Sequence, residues 1–178
     1  MPTLPMLDFH YQGRVLSWEA MQAERARRRA AGQKVVFTNG AFDILHLGHL
    51  DYLTFARAQG DCLVVGLNSD ASVSRYKGPK RPVVPQAERA AMLSGLRAVD
   101  YVVLFDEDEP KDLIAALRPD VLVKGADWAH YVSGREVVEA NGGRVVLADL
   151  VAGKSTTNII KKIVDAYGGG GARPPGAL

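Results

Sequence analysis

Apolar residues follow two rhythms along this chain. Short unbroken runs recur as Val35-Val36-Phe37, Cys62-Leu63-Val64-Val65, Tyr101-Val102-Val103-Leu104-Phe105, Val121-Leu122-Val123 and Val145-Val146-Leu147. Between them, apolar positions return every three or four residues. Short continuous runs read as strands covered on both faces, and the periodic stretches as the helices that cover them. Strands are expected over 34–38, 62–67, 101–105, 121–123 and 144–147. A first helix starts at Ser17, a capping residue, turns Trp18 and Met21 inward and stops at Gly32. A second covers 47–58, with Leu50, Leu53 and Ala56 on its inward side. Pro85 opens a third, to about Leu96. A fourth follows Pro110, with the acidic residues Asp106 to Glu109 at its head, and ends at Arg118-Pro119. A short one lies near 133–140, before Gly142-Gly143. The last begins at Ser155 and carries Ile159, Ile160, Ile163, Val164 and Tyr167 at helical spacing. Residues 68–82, with Arg75, Lys77, Lys80 and Arg81 among glycine and prolines, read as the chain's most basic loop.

Strand and helix alternate about five times. That predicts a Rossmann-like α/β fold: one domain with a doubly wound, five-stranded parallel sheet and helices on both faces. Residues 1–16 have no clear period and read as an irregular arm. Residues 17–167 form the domain, and 168–178, rich in glycine and proline, a flexible tail.

Composition narrows the functional classes. The chain has 178 residues, 47% of them hydrophobic, and a formal charge of +2. A near balance of charge gives no field for nucleic acid or a membrane surface. The single cysteine, Cys62, sits inside an apolar run and reads as core filler. No run has membrane-spanning length and the N-terminus lacks a signal-peptide pattern, so a cytoplasmic protein is expected. Arg25, Arg27, Arg28 and Arg29 cluster on the first helix and read as a solvated face.

The chemistry gathers after the first strand, in Thr38-Asn39-Gly40-Ala41-Phe42-Asp43-Ile44-Leu45-His46-Leu47-Gly48-His49. A strand that turns through small and polar residues into a helix offers unpaired N–H groups and the positive end of the helix to an anion. His46 and His49, three apart on the first turn, share a face. Gly48 between them lets a ligand approach the backbone. The pair suits phosphate binding, a structural role in its own turn, or a metal, with Asp43 as a further carboxylate. No zinc-type spacing accompanies it, and no metal site is expected. A GxGxxG fingerprint and a complete Walker loop are both missing, which disfavours nicotinamide, flavin and P-loop chemistry.

Asn39-Gly40-Ala41-Phe42-Asp43 followed by His46-Leu47-Gly48-His49 resembles the signature of the nucleotidyltransferase superfamily that includes the cytidylyltransferases. Ser155-Thr156-Thr157 resembles its second ATP-binding motif, and Lys124-Gly125-Ala126-Asp127 the segment that contacts base and ribose. Within that superfamily, Asn68-Ser69-Asp70-Ala71-Ser72, Lys77-Gly78, Arg81-Pro82-Val83, Asn141-Gly142-Gly143 and the stretch from Ser155 to Lys162 resemble the bacterial heptose 1-phosphate adenylyltransferases. Asp127-Trp128 is similar to the cytidylyltransferases. The arginine that glycerol-3-phosphate cytidylyltransferases carry before Ser-Thr-Thr has no counterpart here, where Lys154 is the nearby cation.

The resemblance implies transfer of AMP from ATP to a sugar 1-phosphate, giving ADP-heptose and pyrophosphate for lipopolysaccharide or surface-glycan precursors. The alternatives are a glycerol-3-phosphate-type cytidylyltransferase and, in another class, a non-catalytic nucleotide-binding module. The catalytic residues implied are His46, His49 and Lys77. Asn39, Gly40, Ala41, Phe42, Gly48, Lys124, Gly125, Asp127, Ser155, Thr156 and Thr157 are expected to bind the nucleotide. Asp43, Arg81 and Arg89 are expected to bind the sugar phosphate. Mg2+ is expected to arrive with ATP, because it neutralises phosphate oxygens. A homodimer or higher homo-oligomer is expected.

Overall fold

A computed structural model describes residues 14–149 and 151–168. Among them six strands form one parallel sheet: β1 Val15–Leu16, β2 Val35–Gly40, β3 Cys62–Asn68, β4 Tyr101–Phe105, β5 Val121–Gly125 and β6 Arg144–Ala148. Their order is β1-β4-β3-β2-β5-β6. The α/β class and the parallel, doubly wound sheet match the expectation from sequence. The number of strands does not. The sixth is the two-residue edge strand β1, which lies within the stretch read as an irregular arm and pairs Val15 with Val102 and Leu16 with Val103. Two apolar residues carry too little pattern to announce a strand; the exposed edge of β4 supplies the partner. The rest of the expected arm, up to residue 13, and the expected tail from residue 169 lie outside the described residues.

Among the described residues seven α-helices accompany this sheet: α1 Trp18–Ala30, α2 Leu47–Arg57, α3 Asp70–Lys77, α4 Gln86–Ser94, α5 Lys111–Leu117, α6 Arg135–Ala140 and α7 Thr156–Tyr167. The period-two geometry of the strands divides the core in two. Val36, Leu63 and Val65 pack with Leu53 and Ala56 of α2 and Leu93 of α4. Val35, Phe37, Cys62 and Val64 pack on the other face with Met21 of α1, Leu113 and Leu117 of α5 and Val138 of α6. Burial raises the Cys62 thiol to about 12, so it is inert filler.

Three further expectations change. Residues 68–82 are not all loop, because α3 occupies their first half. Ser69 caps it by accepting from the Ser72 N–H at 3.0 Å, and Gly78, at φ +92°, ends it. Both signals stand in the sequence but are masked by the basic residues around them. Leu50 does not face the core and is 45% exposed, whereas Tyr52 takes a buried place beside Leu53. The α1 arginines do not make one solvated face. Arg25 is buried and donates to the Arg118 carbonyl and to Asp120 at 2.9 Å, while Arg28 bonds Glu24 at 2.7 Å and sits 5.4 Å over the Tyr101 ring.

The strand order places a switch point between β2 and β5. The chain leaves β2 toward β3 on one side and returns to β5 on the other. Open α/β sheets bind ligands in the crevice outside the carboxyl ends of such a pair.

Candidate active site

A cleft of about 630 Å³ lies over that switch point. It is of the size that takes a nucleotide. Every residue expected to carry chemistry lines it except Arg89: Asn39 to Asp43, His46, Gly48, His49, Lys77, Arg81, Lys124, Gly125, Asp127, Ser155, Thr156 and Thr157.

The floor is built from the turn after β2. Phe42 sits at φ +44°, a left-handed conformation that costs a non-glycine residue about 1 kcal/mol. Arg89 holds it there. Its guanidinium is fully buried and donates to the Ala41 carbonyl, to the Val84 carbonyl at 2.9 Å and to the Asp70 carboxylate at 2.7 Å. Arg89 is therefore not a group that meets sugar phosphate, contrary to expectation; α4 turns it inward to brace the turn from beneath. Asp43 is likewise spent on structure. Its carboxylate is buried and accepts from Arg81 at 2.6 Å and from the N–H groups of Val83 at 2.8 Å and Val84 at 2.9 Å. Burial alone raises a carboxyl; here the Val84 and Val83 N–H groups and Arg81 outweigh it and hold Asp43 below the usual range. An acidic side chain beside an anion site is thus neutralised from behind, and Arg81 is anchored at the cleft wall.

His46 caps α2. Its Nδ1 accepts from the His49 N–H at 3.3 Å, which leaves the proton of the neutral ring on Nε2, a donor. The His49 ring stacks on it, with centroids 3.8 Å apart and planes 17° from parallel. The Phe42 ring closes the other side at 5.2 Å. His49 Nδ1 is buried without a hydrogen-bond partner. Burial, then the charges of His46 and Lys77, push His49 down to about 4, with Asp43 opposing. Burial, then Lys154, also lowers His46. Both rings are neutral donors at pH 7. Among the described residues no group of three or more His, Cys, Asp or Glu side chains could hold a metal ion.

The opposite side of the switch point is tied by Lys124 of β5, whose ammonium donates to Asn39 of β2 at 2.7 Å and lies 5.7 Å over the Trp128 ring. Burial lowers it to about 8, against the pull of Asp127 and Glu109. Beneath, the Tyr52 hydroxyl donates to the Val123 carbonyl at 3.0 Å and pairs with the Thr38 hydroxyl at 2.6 Å, locking α2 to both strands. Lys77 stands at the last position of α3, not in a loop, and burial lowers its ammonium. Ser155 caps α7 by accepting from the Asn158 N–H at 3.1 Å. Thr156 reaches the Ile44 carbonyl at 3.5 Å, which brings the start of α7 against the turn before α2.

Sequence reasoning missed one wall. Glu109 accepts from the Tyr131 and Ser133 hydroxyls, both at 2.8 Å, and so joins the loop after β4 to the loop after β5 across the cleft. Asp106 and Asp108 pair with Arg75 of α3. The acidic cluster read as a helix-head feature is thus mostly tertiary. No local spacing links Glu109 with Tyr131; only the strand order brings them together.

A parallel sheet that opens at its switch point on two helix N-termini, neutral histidine donors and several cations defines a site for a phosphate-bearing nucleotide. The chain belongs to the cytidylyltransferase-like family, whose model matches residues 37–162. It is 53% identical over 158 residues to the bifunctional protein HldE of Syntrophotalea carbinolica, covering 88% of this chain and 32% of that protein. With HldE of Geobacter sulfurreducens the identity is 60% over 144 residues, covering 80% and 29%. The chain therefore spans about a third of the length of these curated relatives. Among solved structures, the lipopolysaccharide core biosynthesis protein from Thermoplasma volcanium GSS1 superposes with a TM-score of 0.56 at 31% identity, over 67% of this chain and 98% of that one. Pantoate-beta-alanine ligase from Francisella tularensis shares the fold, with a TM-score of 0.54 at 13% identity over 85% of this chain and 79% of that one. Among the described residues no helix is long and apolar enough to cross a membrane.

Proposed function

We propose that this nucleotidyltransferase transfers AMP from MgATP to a heptose 1-phosphate, giving ADP-heptose and pyrophosphate for lipopolysaccharide or surface-glycan precursors. An oxygen of the sugar phosphate attacks the α-phosphorus. The bond from that phosphorus to the bridging oxygen breaks, and pyrophosphate leaves with the electron pair. The nucleophile is already anionic, so no general base is needed. The barrier is repulsion between two polyanions, and catalysis is alignment plus charge stabilisation. The His46–His49 stack carries this reading, because it offers two neutral donors where a charged pair would repel itself. His46 donates through Nε2 to phosphate oxygens, and His49 stands beside it. Lys77 and Arg81 meet the acceptor phosphate. Ser155, Thr156 and Thr157 bind the outer phosphates. Lys124, Gly125 and Asp127 meet the nucleoside, and Mg2+ enters on the ATP phosphates. The choice of sugar draws on the adenylyltransferase-like motifs, the identity with the HldE proteins and the lipopolysaccharide-core neighbour.

Pyrophosphate release tests it, with ATP or CTP against heptose 1-phosphate or glycerol 3-phosphate. ATP with heptose 1-phosphate is expected to turn over, and His46→Ala and His49→Ala to lose at least about a hundredfold in kcat. Turnover with CTP alone makes the chain a cytidylyltransferase. Nucleotide binding with no pyrophosphate release from any pair makes it a binding module. We also propose a homodimer, supported by the apolar face of α7, where Ile163, Val164 and Tyr167 are more than half exposed.

A further inference from the structure

We propose that Lys154 grips the β- and γ-phosphates and holds the pyrophosphate as it leaves, acting between the N-termini of α2 and α7. This deepens the nucleotidyl-transfer reading of the cleft and rests on it. Lys154 belongs to none of the three motifs that mark the site, and it lies just before the Ser155 cap. Four features of its setting point to the role.

First, its backbone is fixed although its side chain is exposed. The Lys154 N–H donates to the Val151 carbonyl at 3.3 Å, Gly153 turns at φ +73°, and Asn158 donates to the Gly153 carbonyl at 3.1 Å. Second, the stem crosses the start of α2. A β-carbon at Gly48 would lie 3.1 Å from that of Lys154 and 3.1 Å from the His46 ring, so any other residue there would push the lysine stem or the histidine aside by a few tenths of an ångström. Third, Thr156 ties the start of α7 to Ile44, which brings two helix N-termini to one end of the cleft. Their first N–H groups have no partner within the helix, so fixed donors and the exposed Lys154 side chain, which lines the same cleft, meet there. Fourth, the other cations of the cleft serve other parts of it: Lys124 is bonded to Asn39 on the nucleoside side, and Arg81, bonded to Asp43, stands with Lys77 on the side assigned to the acceptor phosphate.

An ammonium at this end does two things. It neutralises charge that builds on the bridging oxygen as the bond to the α-phosphorus breaks. It also favours the neutral form of His46 before the nucleotide arrives.

The test is calorimetric titration of the full chain with magnesium pyrophosphate, ATP and AMP in turn, with no sugar phosphate present. Its result is therefore independent of which acceptor the enzyme uses. Lys154→Met is expected to weaken pyrophosphate and ATP binding by about tenfold to a hundredfold, the worth of one charge-assisted contact, and to leave AMP within about twofold. Lys154→Arg is expected to restore pyrophosphate binding to within about threefold. Equal losses for AMP and ATP, wild-type pyrophosphate affinity in Lys154→Met, or no pyrophosphate binding by the unmodified chain would each overturn the proposal.

Discussion

The imidazoles of His46 and His49 lie face to face, 3.8 Å between centroids, and the ring nitrogen of the first accepts the backbone N–H of the second. Burial first, and then the charges of His46 and Lys77, drive His49 from 6.5 to about 4. Between those values the unfolded chain binds a proton that the folded chain refuses. Stability therefore falls as pH drops from 6.5 toward 4, by about 2 kcal/mol after allowance for the part of the ring that water reaches. Urea midpoints across this range are expected to slope for the wild type and to flatten for His49→Asn. An unchanged slope places the titration elsewhere.

Lys124 predicts the alkaline side. Its ammonium is lowered to about 8 and bridges β5 to Asn39 of β2. As pH rises from 7 to 9 it loses its charge, and the KM for ATP is expected to climb. Lys124→Met is expected to raise that KM about tenfold at pH 7 and to remove its pH dependence. Steady-state kinetics at fixed ionic strength read both effects.

For Arg89 the expectation is structural. Replacing it with Met leaves the Ala41 carbonyl without its donor and releases the strained turn at Phe42. A loss of about 3 kcal/mol in unfolding free energy follows, with weaker ATP binding. Arg89→Lys rescues little, since a single ammonium nitrogen cannot span the acceptors that Nε, Nη1 and Nη2 of the guanidinium reach separately. A folded variant of wild-type stability with only a raised KM for sugar phosphate restores the binding role that the sequence suggested.

Gly48→Ala separates packing from chemistry. Alanine suits a helix, so the thermal midpoint is expected to move by less than about 3 °C. Yet the new methyl group meets the His46 ring and the Lys154 stem at 3.1 Å, and a shift of either costs about tenfold or more in kcat. Wild-type kcat in this variant shows that the two side chains can yield freely.

Glutamate at Ile163 and Tyr167 together tests the proposed dimer. Light scattering is expected to report a dimer for the wild type and a monomer for the double variant, whose far-UV spectrum stays the same. Equal masses for both remove α7 from the interface.

Pattern alone determined the layering of this protein. Continuous apolar runs spaced by helical stretches leave no stable arrangement but a covered parallel sheet, so the class and five of six strands follow from local chemistry. The turn from Asn39 to His49 is legible in the same local way: glycine, capping histidine and helix start lie within eleven residues, although distant groups such as Arg89 hold it in place. Tertiary structure decided what each charged group faces. Arg81, Arg89 and Lys77 look alike along the chain. Only the strand order sends Arg89 under the turn, ties Arg81 to Asp43 and leaves Lys77 at the rim of the cleft. Edge strand β1 and the Glu109–Tyr131 clasp arise in the same way, from pairing across 87 positions in one case and across 22 in the other. Periodicity reports which side of an element is apolar; it carries no information about the element that will lie opposite, and that is where this site's charges were assigned.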